Sequence, residues 1–475
     1  MAYLSATAIE DCIQWLAVAY PAITNLIVLP EQSVEGRTIR ALKIASGEGC
    51  NRRGVLFIGG THARELINPD LLVALALKLC QAYTNNTGLT FGGKSYTSAS
   101  IKLIVESLDI FILPLLNPDG RVYVQTTDAW WRKNRRVNAG SSCKGVDLNR
   151  NYDFLANFAI GSTSTNPCSE TFKGPSAFSE PETRNARHML NTYPNIVAMQ
   201  DVHSSGQLIL HPWGDDDNQT TDPAMNFMDP AFDGMRGTLG DMVYKEYIPA
   251  SDLDWFVSTG NRMRDAISAV RGRMYTVEPA SQLYPTSGTS KDYGYSRHFV
   301  NAAKRRVYAY TLETGLEFQP PYAEALNVMS EASAGLVEFC LASLCIVEDL
   351  SCEADIVDNL DDIRLFRDKE LWASERGRTW IKLFRENNWE ITALVIKNPD
   401  LRRQAVAVLK RANALVVSRK QKLKVIDMET IKMVNDLSSQ LIKQASPGFK
   451  KAIIEVQNDL KHFKGKSISE ILRSH

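Results

Sequence analysis

Between about residues 20 and 350, short apolar runs alternate with longer stretches of helical period, the pattern of an α/β sheet covered by helices. "GVLFIGG" (54–60), "LDIFILPLL" (108–116), "NIVAMQDVH" (195–203), "GQLILHP" (206–212) and "RRVYAYTLE" (305–313) are predicted strands. "NPDLLVALALKLCQAY" (68–83) and "PYAEALNVMSEASAGLVEFCLASLC" (321–345) are predicted helices, the second beginning just after Pro320 and Pro321. The first twenty residues read as an amphipathic helix, and 84–100 as a turn-rich loop. Beyond Cys352 the strand-like alternation stops and nearly continuous helical periodicity with long polar faces takes over. The expected organisation is one α/β domain, residues 1–350, and an all-α appendage, 351–475.

Composition is that of an ordinary folded protein, 475 residues with 44% hydrophobic and 23% charged positions. The N-terminus has no basic stretch and carries Glu10 and Asp11 where a signal peptide needs an unbroken apolar run. No segment approaches the roughly 20 apolar residues of a membrane span, so no membrane partner is expected and a cytoplasmic location is. Eight cysteines are too few for a disulfide scaffold, and their spacing suggests no structural zinc site. The zero net charge conceals two opposite halves. Residues 401–475 hold 16 Lys and Arg against 6 Asp and Glu, an excess of +10, which leaves −10 for the first 400.

The strongest chemical signal is "GGTHARELINPD", where His62 and Glu65 stand three apart between a strand and a helix. Groups at that spacing in a turn face one side and can converge on a cation. A hydrolytic zinc site takes three protein ligands and an open fourth position. His203, one of seven histidines, ends a predicted strand in an equivalent place.

Further along come "WWRKNRR", "GVDLNRNY", "NPCSETFKG", "DVHSSGQLIL", "LYPTSGTSKDY" and "YTLETG", in that order. With this set the chain resembles the zinc metallocarboxypeptidases of the pancreatic A and B type, over about residues 8–345. The resemblance implies a mixed twisted sheet flanked by helices, one zinc ion per chain held by His62, Glu65 and His203, and peptide or protein C-termini as substrates. It implies a catalytic glutamate on a late strand, for which Glu313 is preferred over Glu317 because it ends "RRVYAYTLE" beside the other motifs. Arg135 resembles the arginine that stabilises the oxyanion, and Arg132 a neighbouring subsite arginine. Asn149 and Arg150 match the residues that bind the terminal carboxylate, a task suited to the planar guanidinium fork, and Tyr284 matches a mobile tyrosine that closes over it. Cys143 and Cys168 fall where secreted relatives carry a disulfide, which makes a secreted protein the alternative location.

The same resemblance puts Lys291 at the floor of the pocket for the C-terminal side chain, with Leu210, Gly214 and Thr311 at its walls. A buried ammonium without a partner is costly, so the expectation is a preference for C-terminal Glu, then Asp. The competing expectation is that Lys291 pairs with Asp292 or a nearby acid, or snorkels outward, leaving a broad pocket. Ser205 stands where many relatives have a tyrosine, which should open the site toward upstream substrate residues.

Residues 353–475 carry no catalytic motif. Phe449 and Phe463 are the aromatics of 401–475, too few for a nucleic-acid stacking platform; the expectation is a solvated helical bundle packed on the first domain or on itself, with an acidic partner or self-association through the basic helices as the alternative. A peptidase of peptidoglycan-derived peptides and a non-catalytic binding module are the rival functions. The first is disfavoured by Asn149, Arg150 and Tyr284, the second by a complete ligand and base set.

Overall fold

The computed structural model describes residues 2–47, 51–418 and 426–473. Two compact units make up the chain, Met1–Ser46 with Gly54–Cys340, and Gly47–Arg53 with Leu341–His475.

The first unit is built on an eight-stranded sheet. Its strands are β1 (Thr24–Val28), β2 (Arg40–Ile44), β3 (Arg53–Ile58), β4 (Leu108–Leu113), β5 (Ile196–His203), β6 (Leu208–His211), β7 (Thr276–Pro279) and β8 (Tyr308–Glu313). Their spatial order is β1-β2-β4-β3-β5-β8-β6-β7. β1, β2 and β4 pair antiparallel, β3, β5 and β8 run parallel, β6 is antiparallel to β8, and β7 is parallel to β6. All five predicted strands are present. β4 and β5 are buried at every position and β3 at all but its first. Helices cover both faces of such strands, which is why they read as unbroken apolar runs.

The helices are α1 (Ala6–Ala19), α2 (Ile67–Thr84), α3 (Ser98–Ser107), α4 (Pro118–Thr126), α5 (Pro181–Thr192), α6 (Ala250–Arg271), α7 (Ser290–Val300) and α8 (Tyr322–Ser343). Ser5 caps α1 by accepting from the Ala8 amide at 3.0 Å. The loop expected over 84–100 contains a small hairpin, Leu89–Phe91 with Lys94–Tyr96. Among the described residues α8 is the one helix long and apolar enough to cross a membrane, and most of it is buried within the protein. Phe339 of α8 packs its ring 6.2 Å from Phe57 of β3 and 5.7 Å from Tyr310 of β8.

The second unit is helical, with long helices at Glu375–Lys397, Pro399–Ser418, Met428–Gln444 and Pro447–Leu460. Within the stretch of predicted helical periodicity, residues 419–425 lie outside the described residues. Ser374, Asp427 and Ser446 cap three of these helices through side-chain oxygens. Val395, Leu401, Leu441, Phe449 and Ile453 form a core with Ile346 and Leu350.

Phe57 is fully buried, and truncating such a ring removes transfer energy and leaves a cavity. Phe57→Ala should destabilise the first unit by about 3–5 kcal/mol, read from the denaturant midpoint of its unfolding; a change below about 1 kcal/mol would mean that α8 does not hold that face.

Candidate metal centre and substrate clamp

Because β3, β5 and β8 are parallel neighbours, their C-terminal ends lie along one edge, the usual ligand position in such sheets. His203 is the last residue of β5, and Glu313, the last of β8, sits opposite it in register. The turn after β3 brings His62 and Glu65 to the same edge. That turn is pinned from below: Asn117 Nδ2 donates to the Thr61 and Lys133 carbonyls at 3.3 and 3.1 Å, and Arg121 Nη1 to Leu66 O at 3.0 Å.

His62, Glu65 and His203 are buried and offer ligand atoms within 4.8 Å of one another. His62 Nδ1 lies 2.7 Å from Glu65 Oε1, and His203 Nδ1 lies 3.0 Å from both Glu65 Oε2 and His62 Nδ1. The far nitrogen of each ring meets another carboxylate. His62 Nε2 is 3.0 Å from Asp147 Oδ1. His203 Nε2 is 3.1 Å from Asp201 Oδ2, off line for a hydrogen bond but close enough for an ion pair. With the ring protons turned outward toward carboxylates, each neutral imidazole presents its Nδ1 lone pair inward, the arrangement that orients metal-binding histidines. Two lone pairs and a carboxylate converging on one point suit a zinc ion.

Burial and neighbouring charge pull these groups in different directions. Burial raises the Glu65 carboxyl, but His62 and His203 outweigh it and hold Glu65 below the usual range. Burial likewise opposes ionisation of Asp147, and Arg132, His62 and Arg150 overcome it. Burial would lower His203; Asp201 and Glu65 raise it instead. For Glu313 burial dominates and pushes the carboxyl up, against the pull of His203. Glu317 is exposed in the loop that follows β8.

The two arginines of "RKNRR" part company. Arg132 donates from Nε and Nη2 to Asp147 Oδ2 at 3.1 and 3.0 Å, and its Nη1 lies 4.0 Å from Glu65 Oε1. Arg135 instead stacks over Tyr123 and Trp131, 3.5 and 4.6 Å from the ring centroids, with Nε 3.7 Å from Glu35. These rings and Glu35 are neighbours of the Arg135 guanidinium, whose Nε and Nη1 are buried without a hydrogen-bond partner among the described residues, while Arg132 stands beside Asp147 and Glu65.

Arg150 donates from Nε to Ser162 O at 2.8 Å and from Nη1 to Asn149 O at 2.7 Å. Its Nη2 is buried and has no partner among the described residues. Tyr284, 40% exposed, has its ring 5.9 Å from the Arg150 guanidinium carbon. Gly288, at φ 71°, lets the same loop lie against Arg150; a Cβ there would stand 2.2 Å from the Arg150 carbonyl oxygen. Asn149 Oδ1 accepts from the Ser290 amide at 2.9 Å, and the Ser290 hydroxyl donates to Asp201.

Lys291, in the first turn of α7, is 1% exposed and pairs with Asp292 Oδ1, the one acceptor its ammonium reaches among the described residues. Asp292 Oδ2 accepts from the Thr289 hydroxyl at 2.7 Å. Gly214 keeps the space above this pair open, since a Cβ there would lie 2.7 Å from Asp292 Oδ2 and 3.4 Å from Lys291 Nζ. Leu210 and Thr311 are buried and opposite one another in register between β6 and β8. Cys143 and Cys168 form a disulfide with Cα atoms 5.0 Å apart.

Asp147 and Asp201 were not singled out in the sequence. Each stands two residues before a recognised position, Asn149 and His203, and for Asp201 the i, i+2 relation along a strand puts it on the face of its histidine.

The family model of the zinc carboxypeptidases matches residues 9–334, and the chain belongs to that family. It is a zinc-dependent exopeptidase acting on peptide C-termini. It is 30% identical to carboxypeptidase A4 of Mus musculus over 340 residues, 70% of this chain and 69% of that one. Against carboxypeptidase B of Helicoverpa zea the identity is 36% over 220 residues, 45% and 47% of the two chains. The solved structure of thrombin activatable fibrinolysis inhibitor matches with a TM-score of 0.57 at 22% identity, over 71% of this chain and 73% of that one. That of carboxypeptidase A from Helicoverpa armigera matches with 0.56 at 24%, over 72% and 73%. These two likenesses speak to the fold.

Asp147→Asn should weaken zinc binding about 10- to 100-fold, measured by competition with a chelating dye; unchanged affinity would show that His62 is oriented by something else.

Proposed function

We propose that this carboxypeptidase prefers an acidic C-terminal residue, Glu ahead of Asp, selected by Lys291. The observation that carries this reading is the buried Lys291 ammonium, three N–H donors with a single carboxylate within reach. Burial lowers its pKa and Asp292 opposes the shift, so a second carboxylate, brought by the substrate, is the group that best relieves it. Arg150 has the matching property, since its unpartnered Nη2 suits the terminal α-carboxylate. Tyr284 covers that carboxylate, and Asn149 donates to it.

One zinc ion per chain would be held by His62, Glu65 and His203, and when bound it supplies Lewis-acid polarisation of the scissile carbonyl and acidifies water. Glu313 accepts the proton of the attacking water at its carboxylate and returns it to the leaving amine nitrogen. Arg132, kept cationic by Asp147, faces the negative charge that develops on the carbonyl oxygen. The Cys143–Cys168 bridge closes the loop that carries Asp147, Asn149 and Arg150; in the chain-entropy view it is worth about 3 kcal/mol. It supports an oxidising compartment as the place of action, the alternative to the cytoplasmic expectation.

A neutral floor made by the Lys291–Asp292 pair would select apolar side chains instead. Matched peptides ending in Glu, Gln, Phe and Arg decide between them. The expected order has Glu first, and Lys291→Met should reverse Glu and Phe; a wild-type preference for Phe or Arg sinks the acidic reading. Glu313→Gln should lower kcat about 10²- to 10⁴-fold while zinc content stays at one per chain.

A further inference from the structure

Behind Lys291 lies a pair of carboxyl groups that the reaction does not use. Asp215 follows Gly214 and is fully buried, as is Glu246. Among the described residues no N–H or hydroxyl donor reaches either Asp215 oxygen, and the group Asp215 meets is the Glu246 carboxyl. Two carboxyls bond to one another only when one of them holds a proton. Glu246 is equipped to be the anion. Its Oε1 accepts from the Phe227 and Tyr247 amides at 3.0 Å each, and its Oε2 from the Tyr244 hydroxyl at 2.5 Å. Asp215 has no such donors, so the proton belongs on Asp215 and is donated to Glu246.

Charged and titratable groups act on Asp215 from three segments. Glu246, Tyr244 and Arg236 come from the 236–247 segment, Asp216 from its own, and Lys291 and Asp292 from α7. Arg236 binds Asp233 at 2.7 Å and two carbonyls through its Nη atoms, and its Nε has no partner among the described residues. Lys291 is the cation of α7 that Asp215 acts on, and Arg150 and His211 are its other charged or titratable neighbours. While Asp215 is neutral, Asp292 is the one carboxylate that pairs with Lys291 among the described residues. Once Asp215 ionises, two carboxylates flank one ammonium.

We propose that Asp215 is a specificity-determining residue, whose proton, shared with Glu246, leaves Lys291 free to receive an acidic C-terminal side chain and whose ionisation cancels that attraction. The inference rests on the acidic preference argued above and names the group that regulates it. Asp215 acts through Lys291 and is a positioning residue. Burial and the neighbouring Glu246, Asp292 and Asp216 all raise its carboxyl, and burial raises Glu246. The proton is therefore held under acidic conditions and lost as pH rises, and the preference should decline in the same direction.

The experiment compares kcat/KM for matched peptides ending in Glu and in Gln, from mildly acidic to mildly alkaline pH. The uncharged peptide cancels titrations common to both, such as that of Glu313. For the wild type the Glu/Gln ratio should fall about tenfold as pH rises, the order expected for one added charge near a buried ammonium. The two variants should move it in opposite directions. Asp215→Asn keeps a neutral donor to Glu246, so the ratio should stay high at alkaline pH. Glu246→Gln offers an amide donor that favours ionised Asp215, so the ratio should already be low at acidic pH. Circular dichroism and zinc content confirm that each variant is folded, and either variant alone tests the sign. A ratio that follows the wild-type profile in both variants, or shifts in the same direction in both, overturns the inference while leaving the acidic preference standing. A wild type with no preference for Glu over Gln at any pH overturns both.

Discussion

Two imidazole nitrogens that face one another at 3.0 Å need something positive between them, a proton or a metal ion. That constraint organises the rest of the first unit. Asp147 and Asp201 anchor the outer nitrogens, which turns the inner ones together, and Glu65 adds the anionic charge that makes the point attractive to a divalent cation. Each anchoring carboxylate is itself engaged. Arg132 binds Asp147; Thr61 and Ser290 donate to Asp201. Loss of any one of these contacts rotates a ligand rather than removing it.

The sheet makes this convergence possible because it is parallel where it matters. β3, β5 and β8 deliver His62, His203 and Glu313 to one edge without a long excursion of the chain. The antiparallel pairing of β6 with β8 then folds Leu210 back beside Thr311, so the wall of the specificity pocket and the catalytic edge share one strand. Distances there are set by sheet register, which is far stiffer than loop geometry.

Much of this was legible in the sequence because the central strands are buried on both faces and the ligands sit at their ends. The outer strands β1, β2 and β7 were not read: they are short, mix polar with apolar residues, and in β7 end on Pro279. A segment without regular period does not say which way each side chain points, so the stacking of Arg135 on Tyr123 and Trp131 was not legible. The Lys291–Asp292 pair was one of two readings open from adjacency alone. Asp215 and Glu246 stand 31 positions apart, and nothing local marks them as partners. In the helical unit the apolar periods were readable, while its role was not, since packing of that kind carries no chemistry.

The first turn of α7 touches both halves of the machinery. Ser290 bonds Asn149 through its amide and Asp201 through its hydroxyl, and Lys291 follows it directly. A helix tied at that point cannot slide or tilt to admit a different side chain without disturbing the histidine it supports. On the acidic reading proposed above, new substrate preferences in such a scaffold would arise by exchanging the residue at 291 or the groups that neutralise it. Divergence would then proceed by small chemical steps on a stationary backbone.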